Sequence, residues 1–271
     1  MSPGAAYRSI GVVGAGIGGL SGAIYAGQVQ YVDPKAFTVI NSMLFLCAVV
    51  LGGQGNKLGV IAGAVVSGSF QANDQTYLAD VLPKLGTGWV GVTQIANDCP
   101  DAEIVRLNGI GVRAVRFNVF RGRIDTVDDI VALATRVHSV AGWHSEIYAD
   151  AAALKPHVAK LSKLPQISID HLGMTEAGIP TLLELVAAGC KVKASGFGRV
   201  KMDVPKALEA VAKQSPNALV FGSDIPSTRA QRAFEPSDID LVEKVLGGEL
   251  AKKVYWDNPL ALYRVKTTVA G

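Results

Sequence analysis

From about residue 60 onward, short runs of β-branched and other apolar residues alternate with amphipathic stretches of helical period. The runs recur roughly every 25–30 residues, which is typical of βα units that build a parallel sheet. Strands are predicted at 62–68, 89–95, 112–118, 143–148, 166–170, 191–194 and 218–222. Helices are predicted at 75–85, 101–108, 127–140, 151–161, 178–188, 204–214 and 237–246. The alternation therefore predicts the α/β class and the chain path of a (β/α)8 TIM barrel.

A closed barrel needs an eighth strand, because seven strands leave an unpaired edge. The apolar run at 9–13 is the candidate, although more than forty residues would connect it to the next predicted strand. The sequence thus predicts either a complete barrel that uses this run or a barrel with an atypical or missing first strand.

The first 70 residues differ in composition from the rest of the chain. They hold 14 of the 30 glycines but only four charged residues, whereas the other 201 residues hold 45 charged residues. The whole chain of 271 residues is 49% hydrophobic and 18% charged, which is enough apolar material for one large core. We therefore predict an atypical Gly-rich apolar segment at 1–57 and a barrel domain at 58–271.

Two motifs in the N-terminal segment support alternative interpretations. The strings SGAIYAGQVQYVDPKAF and VVLGGQGNKLGVIAGA resemble a permease segment of branched-chain amino acid ABC transporters, over about residues 14–64. The longest unbroken apolar run, 43–51, is too short to cross a bilayer, so membrane contact through 9–66 is not the favoured interpretation. Residues 14–19 match GxGxxG and are followed by Asp33, which leaves a dinucleotide site as a further alternative.

Charge and cysteine content limit the partners and the compartment. The net charge of +3 lacks the electrostatic footprint of a nucleic-acid-binding protein, so no nucleic-acid partner is predicted. The three cysteines form no CxxC pair, which fits a reducing compartment and leads us to expect a cytoplasmic protein. The oligomeric state is left open.

Polar residues stand at or near the ends of the predicted strands, where barrel enzymes carry their active sites. The candidates are Ser67, Arg116, Asn118, Arg121, His144, His171, Arg199 and Asp224. An imidazole and a carboxylate among arginines suit the activation of water against a carboxylate-bearing substrate. The pattern therefore indicates a hydrolytic site for a small carboxylated compound.

Six strings in this part of the chain resemble one enzyme family. They are VRAVRFNVFRG, GWHSEIY, ISIDHLG, VKASGFGR, LVFGSDIPST and VYWDNPLALYR. Over about residues 58–265 the chain resembles the amidohydrolase-related TIM-barrel hydrolases, the group that includes 2-pyrone-4,6-dicarboxylate lactonase and related lactone hydrolases. The resemblance implies water attack on a lactone or similar ring ester of a small carboxylated compound.

The resemblance also implies roles for particular residues. Asp224 would be the general base that takes a proton from water, and His171 would polarise the scissile carbonyl or help to hold a metal. The substrate-binding candidates are His144, Arg116, Asn118, Arg121, Arg199 and Ser67, with the arginines pairing with substrate carboxylates.

One family motif is missing from this chain. Family members carry His-x-His at the end of the first strand, which binds a divalent metal or polarises the substrate, whereas the four histidines here are His138, His144, His157 and His171. A metal such as Zn²⁺ or Mn²⁺ is therefore left undecided, because His144, His171 and Asp224 would make a weak, open site. The first hypothesis is a lactonase-like hydrolase, and the alternative is a catalytically degenerate barrel that binds ligands or is a non-functional chimera.

Overall fold

Seven parallel strands form one sheet in the computed structural model, which describes residues 63–68, 71–86, 88–119, 126–227 and 230–265. The strands are β1 (Gly63–Val66), β2 (Trp89–Thr93), β3 (Val112–Phe117), β4 (His144–Ile147), β5 (Ile167–Ile169), β6 (Lys191–Ala194) and β7 (Leu219–Phe221). Each strand pairs with the next one along the chain, and the sheet curls into a half-barrel. Because all strands are parallel, their carboxyl ends lie at one edge of the sheet.

Helices follow the strands in the manner of βα units. The α-helices are α1 (Thr76–Leu85), α2 (Asp101–Gly109), α3 (Val127–Ala141), α4 (Val158–Leu161), α5 (Ile179–Ala187), α6 (Val204–Gln214), α7 (Ser237–Leu246), α8 (Gly248–Lys252) and α9 (Asn258–Tyr263). Short 3₁₀ segments occupy Ala151–His157, His171–Gly173 and Glu176–Gly178, and a π-helical turn occupies Lys253–Asp257.

Local sequence signals explain where the longest helices begin and end. The Thr126 side chain caps α3 by accepting from the Asp129 backbone N–H, and Asp129 returns a bond to Thr126, which satisfies two free donors of the first turn. Gly142 ends α3 with φ 65°, a left-handed conformation that glycine adopts without steric cost. Asp203 caps α6 in the same way as Thr126 caps α3, through the Lys206 N–H.

Alternate residues of the strands serve two apolar clusters. In β3, Val115 and Phe117 belong to the large core that the helices pack against, whereas Ala114 belongs to a smaller cluster on the other face. We call this second group the inner cluster, and its buried members are Val90, Val92, Ala114, Val220, Leu262 and Tyr263. Helix α9 therefore packs its last two buried side chains against the inner face of the sheet.

The predicted strands and the parallel α/β class are confirmed, with strand boundaries within a few residues. The helix predicted at 151–161 was wrong in kind, because a 3₁₀ segment and the four-residue helix α4 take its place. Pro156 contributes to this difference, since its ring removes a backbone donor that an α-helix needs. The candidate eighth strand at 9–13, the domain boundary after 57 and the motif at 14–19 lie outside the described residues. Within those residues, no helix combines the length and apolar character that a membrane crossing requires.

Candidate active site

Two strand-end residues with left-handed backbone conformations lie at the carboxyl edge of the sheet. His171 follows β5 with φ 51°, and Asp224 follows β7 with φ 57°. Residues other than glycine rarely adopt positive φ, and strained positions of this kind cluster at functional sites. Among the described residues five other non-glycine residues also have positive φ, so the backbone agrees with a functional role of His171 and Asp224 without singling them out.

The His171 and Asp224 side chains face each other at this edge. His171 Nε2 lies 3.8 Å from Asp224 Oδ1, and His171 Nδ1 lies 3.0 Å from Ser195 Oγ. Arg199 Nε donates a hydrogen bond to Asp224 Oδ2. The Asp224 side chain is 16% exposed and that of His171 is 6% exposed, so the carboxylate is the more accessible of the two. The pair therefore places a carboxylate that is ion-paired with and oriented by an arginine beside a buried imidazole.

Gly196 makes room for the His171 ring. It has φ 62°, and a Cβ atom at this position would lie 2.6 Å from His171 Nδ1. Contacts between a Cβ atom and another heavy atom do not occur at this distance without displacement of one of them. Glycine is thus required here both for its backbone conformation and for the place of the imidazole.

We expect Gly196→Ala to lower kcat/KM for the carboxylated lactones that the sequence resemblance predicts as substrates, because the added methyl group would displace the His171 ring. Because alanine adopts this left-handed backbone conformation at a steric cost, the substitution should also lower the free energy of unfolding by about 1–2 kcal/mol. Gly189→Ala is the matched control, since Gly189 has φ 99° and no atom within 4 Å of an added Cβ. Steady-state kinetics and urea unfolding of both variants separate the two effects. Equal losses of kcat/KM in the two variants would contradict a role of Gly196 in seating His171.

A buried ion pair lies beside this site. Arg116 Nε and Nη2 both donate to Asp170 Oδ2, at 3.0 and 2.6 Å. The Arg116 guanidinium also lies over the Tyr148 ring, 5.1 Å from its centroid, and the Tyr148 ring meets the His171 ring edge-on at 5.1 Å. A cation over an aromatic face is attracted by the ring electrons, so Tyr148 links the arginine to the His171 imidazole.

A second set of polar contacts lies on the inner face of the sheet. Lys193 Nζ donates to Glu146 Oε2 and lies 3.3 Å from Asp170 Oδ1. Glu146 is fully buried, and its Oε1 accepts a 2.8 Å hydrogen bond from the Tyr263 hydroxyl and lies 3.2 Å from His144 Nε2. We call Arg116, Glu146, Asp170 and Lys193 the interior charged layer; Arg116, Glu146 and Lys193 are in β3, β4 and β6, and Asp170 directly follows β5.

The charges of this layer stabilise each other's ionised forms. Burial raises the pKa of Asp170, but the Lys193 and Arg116 cations outweigh it and hold that pKa below its usual range. Burial likewise raises the pKa of Glu146, and Lys193 brings it below its ordinary value. Burial lowers the pKa of Lys193, but the two carboxylates raise it above its ordinary value. At neutral pH the layer therefore holds two carboxylates and two cations.

For the two histidines, burial outweighs the effect of the neighbouring charges on the pKa. It lowers the pKa of both His144 and His171 below 6.5, and the neighbouring carboxylates only partly oppose this shift. Both imidazoles are therefore neutral at neutral pH, which leaves each ring with one N–H donor and one nitrogen acceptor.

The lowered pKa of His144 predicts a pH dependence of stability. Between its folded-state pKa and 6.5 the unfolded chain binds a proton at this residue and the folded chain does not, so stability falls as the pH falls below 6.5. At pH 5.5 the loss for this residue can reach at most about 1.4 kcal/mol, because the unfolded-state pKa lies one unit above that pH. Urea unfolding at pH 7.5 and 5.5 measures it, with His144→Gln as the comparison. The same pH dependence in the variant and the unchanged protein would contradict this assignment.

The structure places the remaining predicted site residues in different ways. Ser67 is fully buried and its hydroxyl is hydrogen-bonded to that of Tyr77 at 2.8 Å. Asn118 is buried after β3, with no hydrogen-bond partner for its Oδ1 among the described residues. Arg121 lies outside the described residues. Ser67 and Asn118 stay untested as substrate-binding residues.

One predicted placement is corrected by the structure. His144 was grouped with the strand-end residues, but it begins β4 and pairs in register with Ala114, early in β3. Its ring packs edge-on against Tyr263 at 5.0 Å, within the inner face and away from the carboxyl edge. The strand predicted at 143–148 begins one residue before His144, so this residue lies near the amino end of the strand in the prediction and in the structure alike.

Lys193, Tyr148 and Tyr263 were missed as contributors to this region. A signal for Lys193 was available, because a lysine between Val192 and Ala194 in a strand buried on both faces needs a buried partner. Nothing in the sequence connects Tyr263 with Glu146, which is 117 residues away along the chain.

Metal-binding residues do not converge in the described part of the chain. No group of three or more His, Cys, Asp or Glu side chains there is arranged to hold a metal ion. His144, at the start of β4, contacts the Glu146 carboxylate, whereas His171, at the carboxyl edge, contacts the Ser195 hydroxyl. The two imidazoles therefore do not share a site. The described residues therefore do not fit a divalent metal centre.

Comparisons with known proteins agree with the fold and the motifs. A family model described as amidohydrolase matches residues 47–265. A model of the permease component of branched-chain amino acid transport systems matches residues 8–84, which confirms the second resemblance noted in the sequence. A 2-pyrone-4,6-dicarboxylate hydrolase from Comamonas testosteroni is 26% identical over 238 residues, which are 77% of this chain and 77% of that protein.

Solved structures show the same architecture. The crystal structure of a putative 2-pyrone-4,6-dicarboxylic acid hydrolase from Pseudomonas putida superposes with a TM-score of 0.68 at 25% identity, covering 77% of this chain and 84% of that chain. A probable 2-pyrone-4,6-dicarboxylic acid hydrolase from Acinetobacter baumannii, solved with citric acid bound, superposes with a TM-score of 0.65 at 20% identity, covering 75% and 84%. The second likeness bears on the fold alone. Together with the strand order, these likenesses identify the half-barrel as the TIM-barrel type.

Proposed function

This chain belongs to the amidohydrolase family, and on that premise we propose that it hydrolyses a lactone or similar ring ester of a small carboxylated compound. It is a hydrolase of the amidohydrolase type. The observation that supports hydrolysis of a lactone is the pairing of Asp224 with His171, whose Oδ1 and Nε2 atoms are 3.8 Å apart at the carboxyl edge of the sheet. When water attacks a carbonyl group, a carboxylate can take the proton of the water and a neutral imidazole can donate a hydrogen bond to the carbonyl oxygen.

In the proposed reaction, Asp224 takes a proton from water while the water oxygen forms a bond to the lactone carbonyl carbon. Arg199 donates to Oδ2, which orients the carboxylate and leaves Oδ1 directed toward His171. The ring C–O bond then breaks, and the leaving oxygen takes the proton back from Asp224. The products are the two ends of the opened ring, a new carboxyl group and a hydroxyl or enol.

His171 supplies a hydrogen-bond donor for the carbonyl oxygen in this proposal. In the tautomer with hydrogen on Nε2, the Ser195 hydroxyl donates to Nδ1 and Nε2–H is left to donate to the substrate. A donor fixed in place at the position where negative charge develops stabilises the tetrahedral intermediate. Because burial lowers its pKa, the ring stays neutral and would act as a hydrogen-bond donor rather than as a cation.

The arginines indicate which substrates fit. Arg116 and Arg199 border the site through Asp170 and Asp224, and their guanidinium groups match the geometry of a carboxylate. The relative from Comamonas testosteroni is named for a ring ester that bears two carboxylates. We therefore propose a carboxylated lactone as the substrate class, with Arg121 as a further predicted contact.

A panel of lactones tests the proposal. Purified protein is incubated with 2-pyrone-4,6-dicarboxylate, a monocarboxylated lactone and an uncharged lactone, with and without added Zn²⁺ or Mn²⁺. We expect turnover of the carboxylated lactones, little turnover of the uncharged one, and no requirement for either metal. Absence of turnover across the panel would favour the alternative of a catalytically degenerate barrel, which the missing His-x-His motif supports.

A further inference from the structure

We propose that Lys193 is a positioning residue for substrate binding. Its ammonium group forms an ion pair with Asp170 Oδ1 and so keeps Arg116 on the other carboxylate oxygen. In this position the arginine is directed toward the substrate carboxylate. The inference rests on the proposed function, because it assigns Arg116 to a substrate carboxylate. It concerns a side chain that would act on the ligand only through Asp170 and Arg116.

The register of the sheet brings the four charges of the interior layer to one level. Arg116 is opposite Glu146 in the β3–β4 pair. Ile169 is opposite Val192 in the β5–β6 pair, so the next residues along, Asp170 and Lys193, are also neighbours. Successive side chains of a strand alternate between faces, which is why these charged residues point to the inner face while their apolar neighbours pack against the helices.

Asp170 divides its two oxygens between two cations. Its Oδ2 accepts from both Nε and Nη2 of Arg116, whereas its Oδ1 lies 3.3 Å from Lys193 Nζ. An arginine and a free carboxylate prefer a fork in which each of two N–H groups binds its own oxygen. Lys193 prevents that fork by occupying the neighbourhood of Oδ1.

The arrangement of Arg116 on a single oxygen determines where its guanidinium lies. The group rests over Tyr148, and Tyr148 contacts the His171 ring. Without Lys193, Arg116 could take both oxygens of Asp170 and would also be drawn toward the unneutralised Glu146. Either movement carries the guanidinium into the interior and away from His171, so substrate binding should weaken while the Asp224–His171 pair is kept.

Three variants test this inference. Lys193→Met removes the cation, Lys193→Arg keeps it, and Lys193→Met with Glu146→Gln removes one charge of each sign. Lys191→Met is the matched control, because Lys191 is in the same strand two residues earlier and its Nζ donates to the Asn217 carbonyl rather than to a carboxylate. The readouts are KM and kcat for the best lactone of the panel, and the urea midpoint of unfolding.

We expect Lys193→Met to raise KM about tenfold or more, the cost of one misplaced charged hydrogen bond, with kcat changed less than about threefold. Lys193→Arg and Lys191→Met should keep both constants within about threefold of the unchanged protein. The double variant should regain a higher urea midpoint, since the charges balance again, yet keep the raised KM because Oδ1 is still free. Recovery of KM in the double variant, or an unchanged KM in Lys193→Met, would overturn the inference.

Binding of isophthalate separates this inference from the proposed function, because it carries two carboxylates on a ring and cannot be hydrolysed. Calorimetry should show a Kd about tenfold higher for Lys193→Met and for the double variant, but not for Lys193→Arg or Lys191→Met. This pattern without any lactone turnover would support the role of Lys193 while contradicting the proposed reaction. An unchanged protein that neither binds isophthalate nor hydrolyses a lactone would contradict both.

Discussion

Asp224→Asn is expected to lower kcat for the carboxylated lactone by about 10²–10⁴-fold, the contribution of a well-placed general base. Asparagine has nearly the same shape as aspartate, and its carbonyl oxygen can still accept the hydrogen bond from Arg199 Nε. What is lost is the capacity to take a proton from water. Steady-state kinetics measure the effect, and binding of isophthalate shows whether the site is otherwise intact.

The control for this variant is Asp128→Asn, at an exposed carboxylate in helix α3 that pairs with Lys160 at 2.5 Å. It should leave kcat unchanged, because both side chains are more than half exposed and the pair is largely solvated. A kcat in Asp224→Asn within about threefold of the unchanged protein would remove Asp224 as the general base, since a base contributes far more than this.

Asp170→Ala is expected to lower the free energy of unfolding by about 3–5 kcal/mol, the cost of breaking a buried ion pair by removing one partner. The variant leaves Arg116 and Lys193 in the interior with Glu146 as the remaining carboxylate of the layer. The buried positive charge is then in excess, and burial also removes the hydration that would otherwise stabilise it. Urea unfolding monitored by circular dichroism measures the loss.

Asp80→Ala is the matched control for stability. Asp80 also pairs with one cation, Lys84, but both side chains are about two-thirds exposed. Exposed pairs of this kind contribute about 1 kcal/mol or less. Similar losses in the two variants would mean that the interior charged layer contributes no more than a surface ion pair, which would contradict its described burial.

Local patterns predicted most of the described fold. The strand at 191–194 and the helices at 204–214 and 237–246 have the bounds that period and capping indicate. The segment at 151–161 was the exception, because an apolar helical period is compatible with a 3₁₀ path as well as with an α-helix. The proline within it was the signal that distinguished them.

The candidate site was predicted unevenly. Asp224 and His171 could be found because they directly follow predicted strands, and the topology of parallel strands brings such residues to one edge. His144 was misplaced because it lies near the amino end of β4, as it does in the predicted strand 143–148, whereas only the carboxyl ends of the strands meet at the edge that carries the site. The partners of Lys193 could not be predicted, because Glu146 in β4 and Asp170 after β5 are distant from it in the chain.

The sequence by itself determined the order of strands and helices, the parallel class, and the residues that follow the strand ends. These depend on hydrophobic periodicity and on capping and turn residues, which a stretch of a few residues is enough to show. Only the tertiary structure decided how those residues meet. The 3.8 Å approach of His171 to Asp224 needs the curl of the sheet, and the division of the Asp170 oxygens between Arg116 and Lys193 needs the register of three strands. Charge pairing in a buried interior depends on distances between segments that are far apart in the chain, and no local pattern carries those distances.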